Sequence, residues 1–210
     1  MTTRILLATG NAKKLVELRD VLRAARLDVE VLGLGDVPDG PEPVESARTF
    51  EGNALIKARE WARRTGLPAL ADDSGITVGV LNGSPGVRSA RWAGPECDDE
   101  ANLALLMHQI SDVPEGHRDA AFVCAMALVL PEGAEHVVVR EWPGRVALER
   151  RGTNGFGYDP IFIPAGHDVT SAELSPGEKN AISHRGQAVR AMVPVLVETL
   201  GLAPLEVKED

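Results

Sequence analysis

The sequence has few aromatic residues, few cysteines and no surplus of basic charge. Aromatic residues make up only 4% of the 210 residues, so the core must rest on Leu, Val, Ile and Ala. The two cysteines, Cys97 and Cys124, are too widely separated to form a zinc knuckle or a disulfide scaffold. We expect both to be reduced, with Cys124 in the core. The formal net charge of -9 argues against proteins that bind nucleic acids or acidic membranes, because both classes need a basic face.

Long apolar segments and several common motifs are also missing. No stretch approaches 18 apolar residues and no signal peptide is visible, so we expect a cytoplasmic protein without a membrane span. The sequence contains no P-loop pattern G-x-x-x-x-G-K-[ST], no dinucleotide pattern G-x-G-x-x-G and no G-x-S-x-G elbow. These absences favour a less common kind of phosphate site.

The apolar periodicity predicts strands and helices that alternate early in the chain, followed by β-rich sequence. The predicted fold class is therefore α/β, with a mixed β-sheet flanked by helices. Strands are predicted at 4–9, 27–32, 68–72, 76–81, 120–130, 137–142, 145–148 and 156–163, and helices at 13–25, 49–65, 98–110 and 187–200, with a capping box at 175–178. Turns are predicted at Asp72-Asp73-Ser74-Gly75 and at Pro143-Gly144, and residues 204–210 are predicted to fray.

A first cluster of polar residues, TGNAKK at 9–14, follows the first predicted strand and opens the first predicted helix. A hydroxyl from Thr9, an amide from Asn11 and an ammonium from Lys14 can converge with free helix N–H groups on a polyphosphate. The alternative is an ordinary helix start, with an Asn cap and a solvated lysine.

A second cluster contains adjacent acids, Asp72 and Asp73, after another apolar run. Carboxylate and phosphate oxygens are the ligands that Mg²⁺ prefers, so one acid can hold a metal while the other orients it or a water molecule. Glu42 or Glu45, in the preceding loop, can add a ligand. The alternative is a turn rich in Asp, Ser and Gly, with solvated glutamates in the loop.

A third cluster combines the loop GFGYD at 155–159 with Lys179 and the tripeptide Ser183-His184-Arg185. An aromatic ring between glycines can stack on a nucleobase, and the cationic side chains can donate to base oxygens or phosphate. The alternatives are a core Phe in a β-turn and a structural histidine.

Read in order, these clusters resemble the inosine triphosphate pyrophosphatase family. The resemblance runs from Thr9 to about Gln187 and rests on TGNAKK, ADDSG, GFGYDPIF and KNAISHRG, supported by FEGNA at 50–54. One departure is Asn154, where many relatives have Gly. The resemblance implies one elongated nucleoside-triphosphate pyrophosphatase domain over residues 1–210, with two lobes, a central active-site cleft and a homodimeric state. It also implies Mg²⁺-dependent cleavage of ITP, dITP or XTP to the monophosphate and pyrophosphate, which cleanses the nucleotide pool.

The resemblance also implies roles for individual residues. Asp73 is expected to be the general base and, with Glu45, a metal ligand. The expected substrate-binding residues are Thr9, Gly10, Asn11, Ala12, Lys13, Lys14, Ser74, Phe156, Gly157, Tyr158, Asp159, Lys179, His184 and Arg185. The roles of Lys57 and Asp72 stay open. Two alternatives also remain: a Maf-type pyrophosphatase with another base preference, and a nucleotide sensor without catalysis.

Overall fold

The computed structural model describes residues 2–202, so the prediction of a frayed tail at 204–210 lies outside the described residues. Six strands form one sheet in the order β2-β1-β3-β4-β5-β6. The strands are β1 Thr3–Leu7, β2 Val29–Leu32, β3 Ala69–Val78, β4 Asp119–Val129, β5 Glu135–Val146 and β6 Phe162–Pro164, and the helices are α1 Ala12–Ala24, α2 Phe50–Thr65, α3 Asp99–Gln109, α4 Pro176–Ile182 and α5 His184–Leu200. Strand β1 pairs in parallel with β2 and β3, whereas β5 and β6 are antiparallel. The predicted α/β class with a mixed sheet is confirmed.

The helix ends follow local sequence signals. Asn11 caps α1 by accepting a hydrogen bond from Lys13 N, and Thr49 caps α2 in the same way from Gly52 N. Helix α2 ends at Gly66, whose φ of +65° lies in the left-handed region that favours glycine. The predicted capping box of α4 is present, since Ser175 and Glu178 each accept from the other's backbone N–H. These caps need only neighbouring residues, so the sequence predicts them well.

The predicted turn at Asp72-Asp73-Ser74-Gly75 is wrong, because β3 continues through these residues as one ten-residue strand. Gly75 is needed for close packing and not for a turn. A Cβ at this position would lie 2.4 Å from Ser89 Oγ and 2.6 Å from Gly86 O. Ser89 Oγ also accepts a hydrogen bond from Ile76 N at 2.9 Å, which helps to hold this segment against the strand.

The predicted hairpin at Pro143-Gly144 is also wrong, because β5 runs through both residues. Gly144 pairs with Pro164 of β6, and a Cβ on Gly144 would lie 2.2 Å from Ile163 O. Pro143 has no N–H to donate to a neighbouring strand, but its carbonyl accepts from Ala165 N at 2.9 Å. The strand predicted at 156–163 is shorter than expected, since only Phe162–Pro164 is extended and a 3-10 turn precedes it.

The described chain divides into two compact units. The first unit contains residues 2–73, 125–139 and 188–202, and the second contains residues 74–124 and 140–187. The first unit includes β1, β2, α1 and α2, with Ile5, Leu6 and Leu70 fully buried. The core of the second unit is formed by side chains from β3, α3, β4, β5 and β6. Each unit therefore has apolar packing of its own.

Two further expectations concern cysteines and membranes. Both cysteines are free and Cys124 is buried, as predicted, and Cys97 is exposed. Within residues 2–202, no helix has both the length and the apolar character needed to cross a bilayer.

Candidate active site

The first polar cluster lies where β1 ends in the first unit. Strand β1 pairs in parallel with β3, and Ala8 N donates to Leu70 O at 2.7 Å, so the carboxyl end of β1 adjoins the segment of β3 that leads to Asp72. Thr9 Oγ1 accepts from Asn11 N at 3.2 Å, and Asn11 Oδ1 accepts from Lys13 N at 2.9 Å. The ordinary helix cap that the sequence allowed is thus present. Gly10, Asn11, Ala12 and Lys13 are exposed beside it.

Two lysines in this unit are paired with carboxylates. Lys14 Nζ lies 2.9 and 2.7 Å from the two carboxylate oxygens of Asp72, whose side chain is only 3% exposed. Lys57, from the middle of α2, lies 2.7 Å from Glu45 Oε1 in the loop before that helix. Both pairs are largely shielded from water, and each carboxylate lies next to a cation of opposite charge.

Asp73 is held by an amide. Asn53 is 1% exposed and donates from Nδ2 to Asp73 Oδ2 at 3.0 Å, while its Oδ1 accepts from Ala47 N at 2.9 Å. One side chain therefore joins Asp73 to the loop that carries Glu45. Burial raises the pKa of Asp73. The charge of Lys57 and the hydrogen bond from Asn53 partly offset that effect, whereas the charge of Glu45 raises the pKa of Asp73 further. Asp73 is thus a more basic carboxylate than an ordinary aspartate, and Glu45 is close enough to act on it.

These acids can be tested as metal ligands. Within residues 2–202, no group of three or more His, Cys, Asp and Glu side chains could hold a metal ion. Mg²⁺ usually binds one or two carboxylates and takes its other oxygens from water and substrate phosphate. Glu45 and Asp73, whose charges act on each other, fit that smaller requirement.

The third cluster belongs to the second unit and presents an exposed aromatic ring. The side chain of Phe156 is 54% exposed, and Lys179 Nζ and Arg185 Cζ lie 5.3 and 5.7 Å from its ring centroid. Asp159, which is 2% exposed, accepts from Phe156 N at 2.8 Å and from Ser171 Oγ at 2.8 Å, and is also paired with Lys179. A flat apolar surface flanked by two cations suits an electron-rich aromatic ligand.

Other predicted residues of this cluster are packed inside the second unit. Tyr158 is buried and its hydroxyl donates to Ser89 O at 2.8 Å; burial and the charge of Asp99 raise its pKa. The ring of His184 is buried and stacks on Phe122, with ring centroids 4.9 Å apart and planes 8° apart. Tyr158 and His184 therefore support the loop and α5 in this structure, and their roles toward a ligand stay predictions. Ser74 follows Asp73 in β3 and is partly buried.

Sequence reasoning missed two residues and left a third open. Asn53 carried no assignment, although an amide on the apolar face of α2, between Phe50 and Ala54, is a signal that could have been read. Lys57 lies one turn further along the same helix. Asp99 also carried no assignment, yet its carboxylate accepts from Gly157 N at 2.9 Å. No local pattern reveals that contact, because 58 residues separate its partners.

Comparisons with known proteins agree on one family. The family model described as the Ham1 family matches residues 5–195. A dITP/XTP pyrophosphatase of Cutibacterium acnes is 57% identical over 200 residues, which are 94% of this chain and 98% of that protein. A dITP/XTP pyrophosphatase of Streptomyces avermitilis is 54% identical, over 95% of this chain and all of that protein.

Solved structures agree in fold. A nucleoside-triphosphatase / dITP/XTP pyrophosphatase from Mycobacterium abscessus is similar with a TM-score of 0.80 at 54% identity, covering 92% of this chain and 100% of that chain. A HAM1 protein from Coxiella burnetii has a TM-score of 0.85 at 44% identity, covering 93% of this chain and 99% of that chain.

Proposed function

The chain belongs to the Ham1 family, and from this premise we propose that it hydrolyses non-standard purine nucleoside triphosphates. It is a nucleoside triphosphate pyrophosphatase that converts ITP, dITP or XTP to the monophosphate and pyrophosphate, and so cleanses the nucleotide pool. Relatives that are 54% and 57% identical over almost their whole length carry the name dITP/XTP pyrophosphatase. The predictions of family and of enzyme class are therefore confirmed. The observation that best supports the chemistry is the basic carboxylate of Asp73, held by Asn53 and influenced by Glu45.

The first unit is proposed to hold the triphosphate. Phosphate oxygens compete with Asp72 for the ammonium of Lys14, and the exposed start of α1 offers N–H groups beside Thr9 and Asn11. The same groups stabilise the charge that develops on the departing pyrophosphate. Gly10, Ala12 and Lys13 complete the exposed segment, where a phosphate can approach the backbone closely.

Asp73 is proposed as the general base. It takes a proton from a water molecule whose oxygen attacks the α-phosphorus in line, and the bond from that phosphorus to the bridging oxygen of pyrophosphate breaks. Burial favours this role because it raises the pKa of the carboxyl group above its ordinary value. The hydrogen bond from Asn53 holds one carboxylate oxygen of Asp73, and this also fixes the orientation of the other oxygen.

Glu45 and Asp73 are proposed to hold Mg²⁺ together with substrate phosphate oxygens. When bound, the ion supplies neutralisation of phosphate charge and orientation of the electrophilic phosphorus. Lys57 keeps Glu45 in place until then, because its ammonium contacts that carboxylate at 2.7 Å.

The second unit is proposed to bind the base. Phe156 offers its ring for stacking, and Lys179 and Arg185 flank it with donors that suit a 6-oxo group. A donor that faces the 6-amino group of adenine leaves two donors opposed, and a buried group left unpaired costs about 1–3 kcal/mol. Gly157, Tyr158 and Asp159 are proposed to lie near the base through the loop that they form with Phe156. His184, at the start of α5, is also proposed to lie near the base.

One experiment tests the function. Pyrophosphate and orthophosphate release are measured from ITP, dITP, XTP, GTP, ATP and pyrimidine triphosphates, with Mg²⁺ and after chelation. The proposal expects pyrophosphate release from the 6-oxo purines, little from ATP, and loss of turnover after chelation. Preference for pyrimidine or modified nucleotides would favour the Maf-type alternative, and nucleotide binding without turnover would favour the sensor.

The remaining proposals concern assembly and location. We propose a single catalytic domain, a homodimer and a cytoplasmic location, all supported by the family resemblance. Light scattering on the purified protein should give twice the mass of one chain, and a monomeric mass at working concentration would contradict the dimer.

A further inference from the structure

Glycine residues flank Phe156 on both sides, so the backbone of this loop has few steric restraints of its own. Phe156 lies between Gly155 and Gly157, whose φ values of +82° and +58° fall in the left-handed region. Glycine adopts such conformations without steric cost, and it also loses the most conformational freedom when a loop is ordered. The position of the exposed ring therefore depends on the contacts of the loop backbone.

Two backbone N–H groups of this loop donate to carboxylates. Phe156 N donates to Asp159 Oδ2 at 2.8 Å, and Gly157 N donates to Asp99 Oδ2 at 2.9 Å. The first contact is local, since Asp159 is part of the same turn. The second joins the loop to the first turn of α3, whose Leu103 and Leu106 are buried in the core of the second unit. Asp99 thus adds a backbone contact from α3 to a loop whose following residues, Tyr158 and Asp159, are held by their own buried side chains.

Asp99 is not required to cap its own helix. Asp98 Oδ1 already accepts from Glu100 N and Ala101 N at 2.8 and 3.0 Å. The carboxylate of Asp99 points instead to the loop. Its charge also acts on the neighbouring Tyr158, whose hydroxyl donates to Ser89 O.

We propose that Asp99 is a positioning residue for base recognition, which sets the place of the Phe156 ring by holding Gly157 N. The inference rests on the proposed function, since it assumes that Phe156 stacks on the purine. Hydrogen bonds to a carboxylate are stronger than neutral ones, and a loop that is ordered in advance does not need to be ordered by the ligand. Loss of the contact should weaken binding of the base and leave the triphosphate end unaffected.

The test compares three variants. Asp99→Ala removes the acceptor, and Asp99→Asn keeps an acceptor oxygen without the charge. Glu100→Ala is the matched control, because it removes an acid from the same first turn while its carboxylate pairs with Arg150 and not with the loop. Each variant is measured for KM and kcat with dITP, for binding of inosine monophosphate by calorimetry, and for inhibition by inorganic tripolyphosphate, which has no base.

For Asp99→Ala, we expect KM for dITP and the dissociation constant of inosine monophosphate to rise about 3- to 10-fold, the usual scale for ordering a small group. The value of kcat and the inhibition constant of tripolyphosphate should stay within twofold. Asp99→Asn should recover most of the affinity, and Glu100→Ala should match the wild type. In a Phe156→Ala background, Asp99→Ala should have no further effect on nucleotide affinity.

Several results would overturn the inference. They are equal losses in Asp99→Ala and Glu100→Ala, a parallel loss of tripolyphosphate affinity, unchanged nucleotide affinity in Asp99→Ala, or additive effects in the Phe156→Ala background. Failure of the proposed function looks different, because the wild type itself would then release no pyrophosphate. The calorimetric comparison with inosine monophosphate still decides the inference in that case, and absence of binding by the wild type would remove it together with the function.

Discussion

The adjacent residues Asp72 and Asp73 should respond in opposite ways when each is changed to asparagine. Asp72 is buried, and both of its carboxylate oxygens contact Lys14 Nζ. Asp73 accepts a hydrogen bond from Asn53, and burial raises its pKa, so the fold favours the neutral form of this side chain. Removing the charge should therefore lower stability at position 72 and not at position 73.

Turnover should fall more in Asp73→Asn than in Asp72→Asn. Asp73→Asn keeps the shape and an oxygen for Asn53, but it removes the proposed general base. Turnover should fall about 100- to 10,000-fold, which corresponds to about 3–5 kcal/mol of barrier at ~1.4 kcal/mol per decade. Asp72→Asn should reduce turnover less, because Asp72 contacts Lys14 and is not proposed to contact the attacking water.

The effect on stability can be estimated from the contacts. Breaking a buried ion pair usually costs 3–5 kcal/mol, but the Lys14 side chain is 20% exposed, so about 1–3 kcal/mol is expected for Asp72→Asn. The change in stability should have the opposite sign at Asp73. A carboxyl group whose folded pKa is raised binds protons more tightly in the native state, so its contribution to stability falls as pH rises above its ordinary value of 3.8. The Asp73→Asn variant cannot ionise at this position, so it does not lose this stability as pH rises.

The assay is thermal unfolding of both variants and the wild type between pH 4 and pH 8, together with pyrophosphate release. The melting temperature of Asp73→Asn should match the wild type near pH 4 and equal or exceed it at pH 7. Asp72→Asn should melt several degrees lower at pH 7. An Asp73→Asn protein that is less stable than Asp72→Asn at pH 7, or that keeps near-normal turnover, would refute the reasoning.

Three further substitutions have distinct expected outcomes. Lys14→Ala should weaken nucleoside triphosphate binding in calorimetry at least tenfold while leaving nucleoside binding unchanged, and unchanged triphosphate affinity would reduce the first cluster to a helix start. Asn53→Ala should lower kcat about 10- to 100-fold and stability by about 1–3 kcal/mol, because it removes a donor to Asp73 and an acceptor from a backbone N–H. Arg118→Met should lower stability by about 3 kcal/mol, or about 6–12 °C in melting temperature, because Arg118 is buried and donates to three backbone carbonyls. A smaller decrease in melting temperature than that of Lys14→Ala, measured by scanning calorimetry, would contradict this.

The sequence predicted the elements whose signals are local. Caps such as Asn11, Thr49 and Ser175 act over three or four residues, and apolar periodicity places the helices that follow them. The errors in the two strands that were wrongly predicted to be interrupted have one cause. Gly75 and Gly144 were interpreted as turn residues, whereas each is required by a segment distant in sequence that approaches the backbone too closely for a Cβ. Glycine serves both purposes, and its sequence neighbours do not distinguish them.

The candidate site shows the same limit. Polar candidate residues were chosen from the sequence by type and position, among them Lys14 at a helix start, Glu45 in a loop and Asp73 after an apolar run. The residues that hold this chemistry in place were missed, since Asn53 and Asp99 act through contacts across 20 and 58 residues. Two aromatic residues that were both predicted to bind substrate differ in burial. Phe156 is exposed, whereas Tyr158, two positions later, is enclosed in the core.

The proposed function requires an acidic chain to bind a polyphosphate in its first unit. The net charge of -9 opposes anion binding at long range, so attraction must be local. We propose that Lys14 provides it, and both Lys14 and Lys57 are paired with carboxylates, Asp72 and Glu45 respectively. A triphosphate that arrives with a divalent cation brings an anion for the lysines and a cation for the carboxylates at the same time. In the proposed function the phosphates meet Lys14 and the cation meets Glu45 and Asp73, so the charges that come together when the substrate binds are opposite in sign.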